Sequence, residues 1–217
     1  MASVYLKAFI LTAIVFTLGI SAGWYLDSTR TQAAQNELGA LRLQAEEARV
    51  GMVFFETFKT DPQFCSVYSK EMTAQLQRVG RLGEQLEALR EANKIDESYY
   101  SLKRQYVLFN TELWLRAENL KKICASNVTT MLYFYPENAE CGDCAAQARA
   151  LLSLKQACPD KVWLFALPTD FDVTVVDMLK QRFAIASTPS LVVDGQTLSG
   201  LQGAASLRER FPALANC

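Results

Sequence analysis

Residues 128–157 read VTTMLYFYPENAECGDCAAQARALLSLKQA, and this stretch decides the fold. Val128 to Tyr135 is β-branched and aromatic, the composition of a buried strand. A polar loop from Pro136 to Glu140 follows. Cys141-Gly142-Asp143-Cys144 then leads into an Ala-rich helix from Ala145 to about Ala157. Two residues between two cysteines at a helix start bring both sulfurs within bonding distance. The unpaired backbone N–H groups there and the helix dipole favour a thiolate at the first position. Cys141 is therefore expected to be the exposed nucleophile, and Cys144, one turn into the helix, the shielded thiol that resolves a mixed disulfide. Downstream, Lys161 to Ala166 reads as a strand and Val173 to Arg182 as a helix. Ser187-Thr188-Pro189 precedes a strand from Ser190 to Val193, Asp194-Gly195 makes a hairpin turn, and a short strand ends near Gly200. Ala204 to Phe211 closes the chain as a helix. This order describes an α/β fold, a mixed sheet with helices on both faces.

Over about residues 128–217 the chain resembles the thioredoxin superfamily. Four features carry the resemblance in order: the Cys141–Cys144 motif between strand and helix, Asp170 after the next strand, Thr188-Pro189 opening the following strand, and Gly200 ending the hairpin. The resemblance implies a thioredoxin-like mixed sheet and a cis peptide before Pro189. It also implies that Pro189 packs against the disulfide and that the Thr188 backbone pairs with substrate, so Thr188 and Pro189 are the expected substrate-binding residues. In the implied fold the helix after Cys144 and the closing helix share one face and run away from the active-site edge. Cys158 and Cys217 are then expected to meet as a structural disulfide, two inert buried thiols being the alternative. The sequence departs from the family's pattern in three places. Glu140 replaces the tryptophan that often precedes the first cysteine. Gly142-Asp143 has neither the proline of reductive thioredoxins nor the histidine of strong oxidants. Where a buried acid commonly assists the second cysteine, the first strand holds Tyr133 or Tyr135. Carboxylates at 140 and 143 oppose thiolate formation, which lowers the reduction potential and leans towards a reductase or isomerase.

Between Ser28 and Cys124 there is one proline, Pro62, and the apolar residues keep helical spacing. Ala34, Leu38, Leu41, Ala45, Ala48, Met52 and Phe55 form a heptad seam. Asp61-Pro62 reads as N-cap and first residue of a second helix, running to about Asn93. Lys94 and Ile95 connect it to a third, capped by Asp96, in which Tyr99, Leu102, Tyr106, Phe109, Leu113, Leu120 and Ile123 repeat at helical period. If these two helices form an antiparallel hairpin turning at residues 94 and 95, the numbers of facing positions add to 189. Those of Cys65 and Cys124 do so, which predicts a structural disulfide at the open end; two unrelated buried thiols is the alternative. The heptads suit packing within the chain or a homodimer, and the sequence leaves both open.

Ala8 to Leu26 is a 19-residue run without a charge, between Lys7 and Asp27. As a helix it spans roughly the 30 Å hydrocarbon core, with Tyr5, Trp24 and Tyr25 at the interfaces. A cleavable signal peptide is the alternative, with Lys7 in its n-region and Ser21-Ala22-Gly23 at the cleavage site. The expected organisation is an N-terminal transmembrane anchor or signal peptide at 1–27, a helical hairpin and coiled-coil segment at 28–124, and the thioredoxin-like domain at 125–217. Both N-terminal readings send the later residues across a membrane. Two structural disulfides plus a redox pair agree with an oxidising, extracytoplasmic compartment.

The 217 residues carry 22 Lys plus Arg against 23 Asp plus Glu and contain no histidine. The balance argues against nucleic-acid binding. The missing histidine excludes Ser–His–Asp and Cys–His catalysis and His-ligated metal sites. No phosphate loop or dinucleotide fingerprint occurs. Sulfur chemistry remains, with no metal and no organic cofactor expected. The first reading is a membrane-anchored thiol–disulfide oxidoreductase, on a helical stalk, acting on cysteine-containing exported proteins and recharged by a redox partner. The rival is a non-catalytic assembly or scaffold protein whose thioredoxin-like domain docks partners, with Cys141–Cys144 as a third structural bridge. A metal-binding chaperone is the third possibility.

Overall fold

The computed structural model describes residues 49–215 continuously and, before them, positions 9, 16, 17, 19–21, 43, 46 and 47. Most of the expected anchor, most of the heptad seam and Cys217 therefore lie outside the described residues. Among the described residues no helix is long and apolar enough to cross a membrane. The chain divides into two compact units, Met1–Thr60 and Asp61–Cys217. In the first, residues 49–58 are helical. The Phe54 and Phe58 rings lie 4.8 Å apart and Lys59 pairs with Glu56 at 2.6 Å.

The second unit opens with helix α1, Phe64–Glu91. It starts two residues later than the Asp61-Pro62 pattern predicts. The Asp61 carboxylate accepts the Gln63 N–H at 2.7 Å and its carbonyl the Phe64 N–H at 3.0 Å, a side-chain turn that occupies Pro62 before the helix begins. At the other end Asn93 takes a left-handed φ of 54°, and the N–H groups of Asn93 and Lys94 reach back to the carbonyls of Arg90 and Leu89, both at 2.9 Å. That capping motif stops the helix at Glu91. Helix α2, Glu97–Cys124, is capped by Asp96, whose carboxylate accepts the Tyr99 N–H at 3.1 Å. The two helices pack as an antiparallel hairpin. A Cβ on Gly83 would stand 3.2 Å from the Tyr106 ring, so these positions, whose numbers also add to 189, face each other. Cys65 and Cys124 are disulfide-bonded across the open end with Cα atoms 5.7 Å apart.

Strands β1 (Thr129–Tyr135), β2 (Val162–Pro168), β3 (Ser190–Val193) and β4 (Gln196–Ser199) form one sheet in the order β2-β1-β3-β4. β1 runs parallel to β2 and antiparallel to β3, and β4 antiparallel to β3. Asp194 and Gly195 both have positive φ, 47° and 83°, as a two-residue turn of this hand requires. Helices α3 (Gly142–Ala157), α4 (Thr174–Arg182) and α5 (Ala204–Arg210) follow the expected order, and a 3₁₀ turn at Pro212–Leu214 extends the closing helix. The mixed sheet with flanking helices is thus present. Alternation along the strands divides the core. Met131, Tyr133, Leu191 and Val193 meet Leu151 and Leu154 of α3 and Leu207 of α5. Leu132, Phe134, Phe165 and Val192 point to the opposite face, and α2 packs on β1, β2 and α4.

This last packing corrects the stalk expectation. Helix α2 carries two buried faces. Leu113 and Leu120 belong to the apolar pattern visible in sequence. A second set, Lys103, Val107, Asn110, Thr111, Trp114 and Ala117, is also buried. Trp114 meets the Phe183 ring edge-on at 5.7 Å. At its C-terminal end, Lys121 pairs with Asp194, whose carboxylate also accepts the Thr130 N–H at 3.1 Å. Ile123, placed on the seam by periodicity, is exposed. The hairpin is therefore part of the α/β unit.

The Cys65–Cys124 bridge spans 59 residues of sequence. Replacing both cysteines by alanine should destabilise the fold by roughly 2–4 kcal/mol, from restored freedom of the unfolded chain. The shift of the denaturant midpoint measures it.

Candidate active site

Cys141 and Cys144 form a disulfide with Cα atoms 5.3 Å apart. Cys141 is the N-cap of α3 in extended conformation, so the helix begins at Gly142, three residues before the Ala-rich run. The Cys144 N–H donates to the Cys141 carbonyl at 3.2 Å. Both cysteines are half-buried, whereas Glu140, Gly142 and Asp143 are exposed. The two neighbouring carboxylates therefore act on Cys141 through solvent, which weakens their opposition to a thiolate. Beneath the motif, the buried Tyr133 hydroxyl donates to the Cys144 carbonyl at 3.0 Å. Burial pushes that phenol up to about 12, so it stays a donor at neutral pH. Tyr133 thus fixes the first turn of α3 and offers no acid or base to the second cysteine.

The sheet register sets where Thr188 and Pro189 lie. Phe134 near the end of β1 pairs with Ser190 at the start of β3. Pro189 therefore stands at the sheet edge from which the loop to Cys141 departs. The Thr188-Pro189 peptide is cis, as the resemblance implies. Pro189 is buried and Thr188 half-buried. The Gly200 N–H donates to the Pro189 carbonyl at 2.8 Å, from a backbone with φ of 78° that suits glycine.

Sequence reasoning missed the anchoring of the loop between β1 and Cys141. The Glu137 side chain is 2% exposed. Its carboxylate meets Arg90 of α1 at 2.8 Å, Lys103 of α2 at 2.8 Å, and the Tyr99 hydroxyl at 2.7 Å. Lys103 also donates to the Tyr135 hydroxyl at 2.8 Å, and Tyr135 stacks on Tyr133 at 5.4 Å between centroids. Burial pulls the Lys103 ammonium down, against the opposing pull of Glu137. Burial lifts the phenols of Tyr99 and Tyr135 well above their ordinary range, and Glu137 lifts both further. On the loop's other side Asp170 accepts the backbone N–H groups of Glu137 at 2.5 Å and Asn138 at 2.8 Å. The motif reading singled out Asp170 without a role; here it holds the loop. The sequence carried no local signal for this cluster, because Glu137 lies in a polar loop and Lys103 among other polar residues of its helix.

Between α1 and the face formed by α3 and β2 lies an open groove of about 1420 Å³. Cys141, Cys144 and Ala148 are in one wall, and Leu76, Gly80 and Glu84 of α1 in the other. The bridge thus lies in the wall of that groove. Cys158, at the end of α3, is buried in the core and disulfide-bonded. Its expected partner, Cys217, lies outside the described residues.

No protein-family profile and no curated protein matches this sequence. Among solved structures, the chain is similar to thioredoxin-2 of the malaria parasite, with 18% identity and a TM-score of 0.31 over 38% of this chain and 79% of that one. It is similar to the thioredoxin Deadhead of Drosophila melanogaster, with 19% identity and a TM-score of 0.31 over 44% of this chain and 88% of that one. A structure from work on thiol resolution in yeast mitochondrial 1-Cys peroxiredoxin gives 24% identity and a TM-score of 0.32 over 45% of this chain and 87% of that one.

Burial alone would raise the Asp170 carboxyl, but the N–H groups of Glu137 and Asn138 hold it below its ordinary value of 3.8. The stability it contributes is complete above that value and is lost as pH falls through the lower folded one. The denaturation midpoint should therefore fall more steeply with acid, below about pH 4.5, in the native protein than in Asp170→Asn.

Proposed function

We propose that this protein is a thiol–disulfide oxidoreductase, anchored in a membrane through residues 8–26, with its α/β unit on the extracytoplasmic side and cysteine-containing exported proteins as substrates. The observation that carries the reading is the Cys141–Cys144 bridge itself, half-exposed at the N-terminus of α3 in the wall of a groove. In the reducing direction, the Cys141 thiolate attacks one sulfur of a substrate disulfide and a substrate thiolate leaves. The Cys144 thiolate then attacks Cys141 Sγ, the second substrate thiolate leaves, and the bridge re-forms. Two electrons have passed from the pair to the substrate, and a redox partner must return them. The reverse sequence oxidises a substrate dithiol. Thr188 and Pro189, at the same sheet edge, would frame the substrate backbone.

The compartment and the anchor rest on independent support. The Cys65–Cys124 bridge and the bonded state of Cys158 suit an oxidising environment. Within the apolar run, Phe9, Phe16 and Ile20 are helical and exposed, as lipid-facing positions are. The acidic neighbours Glu140 and Asp143 favour reduction or isomerisation over strong oxidation, with an effect limited by their exposure.

With the full-length protein, reduction of a disulfide-containing protein by dithiothreitol should be accelerated, and Cys141→Ser should abolish the acceleration. Cys144→Ser should accumulate a mixed disulfide through Cys141, visible on a non-reducing gel. A native bridge that neither exchanges nor traps substrate would leave the scaffold reading in its place.

A further inference from the structure

We propose that Glu137 is a positioning residue for Cys141, through which the helical hairpin sets the redox equilibrium of the Cys141–Cys144 pair. The inference rests on the oxidoreductase reading and adds a regulator of the same site. A carboxylate excluded from water is unfavourable unless it is paired and hydrogen-bonded. Glu137 nevertheless buries its side chain while Asn138, Ala139 and Glu140, which follow it, stay exposed. All three groups that receive the carboxylate, Arg90, Tyr99 and Lys103, belong to the hairpin. From the β2–α4 loop, Asp170 holds the backbone N–H groups of Glu137 and Asn138, not the Glu137 side chain. A loop serving merely to join β1 to α3 needs no such clamp. Only residues 138–140 separate the clamp from Cys141, so the hairpin fixes the place from which the nucleophile is presented.

The same cluster sets the charge at the redox end of the groove. Arg90 and Lys103 contribute two positive charges; Glu137 and Asp170 oppose them, with Glu84 and Glu87 on α1 and the exposed Glu140 and Asp143 beyond. Reduction by glutathione balances as one protein disulfide plus two glutathione thiols giving two protein thiols plus one glutathione disulfide. A more stable Cys141 thiolate moves that equilibrium towards the reduced pair. Removing the Glu137 charge leaves Arg90 and Lys103 uncompensated and stabilises the thiolate. Removing the Lys103 charge leaves Glu137 in excess and does the reverse. A purely structural disturbance would not give opposite signs.

The test is the glutathione equilibrium of the full-length protein at pH 7, read as the fraction of reduced pair by thiol labelling, with folding checked by circular dichroism. Glu137→Gln should shift the equilibrium constant roughly tenfold towards the reduced pair, and Lys103→Met roughly tenfold the other way, as about one pKa unit of differential stabilisation would. Arg90→Gln changes a side chain that is 40% exposed, so it serves if the buried variants do not fold. It should shift in the direction of Lys103→Met by a smaller factor. Lys121→Met, which loosens the far end of α2, should stay within about twofold of native. Shifts of one sign in Glu137→Gln and Lys103→Met, folded variants within twofold of native, or an equal shift in Lys121→Met would overturn the proposal. A native bridge that glutathione cannot reduce would overturn the oxidoreductase reading as well; native exchange with unmoved variants overturns this inference alone.

Discussion

The ion pair between Lys103 of α2 and Glu137 of the loop before Cys141 joins the two halves of the α/β unit at the point where chemistry is expected. Both side chains are nearly inaccessible to water, 6% and 2% exposed. Desolvating two charges is costly, and their attraction offsets that cost only when further hydrogen bonds complete both groups. The Tyr135 hydroxyl does this for Lys103, and Tyr99 and Arg90 do it for Glu137. The pair therefore persists only while α1, α2 and β1 keep their mutual positions. Conversely, losing one partner strands a buried charge, at a cost of about 3–5 kcal/mol. The pair specifies the hairpin's docking more than it adds net stability.

Around that junction the apolar packing is conventional. Val107, Trp114 and Ala117 of α2 cover the sheet face opposite α3 and α5. The Cys65–Cys124 bridge closes the hairpin at its open end, and the Lys121–Asp194 pair ties the end of α2 to the β3–β4 turn. Both of these ties lie in the last turn of α2, while Tyr99 and Lys103 hold its N-terminal part to Glu137. β2 is an edge strand with an apolar sequence, the kind of edge that proteins cover to prevent pairing with other chains. Here α2 packs against its face and α1 stands across the groove beside it.

Around the Cys141–Cys144 bridge three sets of contacts hold the chain. Tyr133 holds the Cys144 carbonyl, Asp170 holds the backbone at Glu137 and Asn138, and the hairpin holds the Glu137 side chain. The motif is supported from below, from the β2–α4 loop and from the hairpin at once. Such support holds the two cysteines and the loop before them in one arrangement.

Local sequence determined much of this protein because the relevant forces are local. The strand character of Val128 to Tyr135, the Asp96 cap, the Asp194-Gly195 turn and the spacing of Cys141 and Cys144 each depend on residues close in the chain. Hairpin arithmetic reached Cys65 and Cys124 because two helices with a short connection have only one antiparallel register that meets at the turn. Helix boundaries at Phe64 and Glu91 were less legible, since an aspartate turn and an asparagine in a left-handed conformation set them. The second face of α2 was hidden for a physical reason. Lys103, Asn110 and Thr111 interrupt its apolar pattern, and polar residues read as solvent-facing until a partner is known. Glu137 was hidden likewise, because a loop glutamate gives no sign of burial when its partners lie 34 to 47 residues earlier. The sequence by itself determined most of the elements and the cysteine pair at the start of α3. Only the tertiary structure decided that the hairpin docks on the sheet and grips the loop before Cys141, because the burial of a charge pair is a property of three elements meeting and of none of them alone.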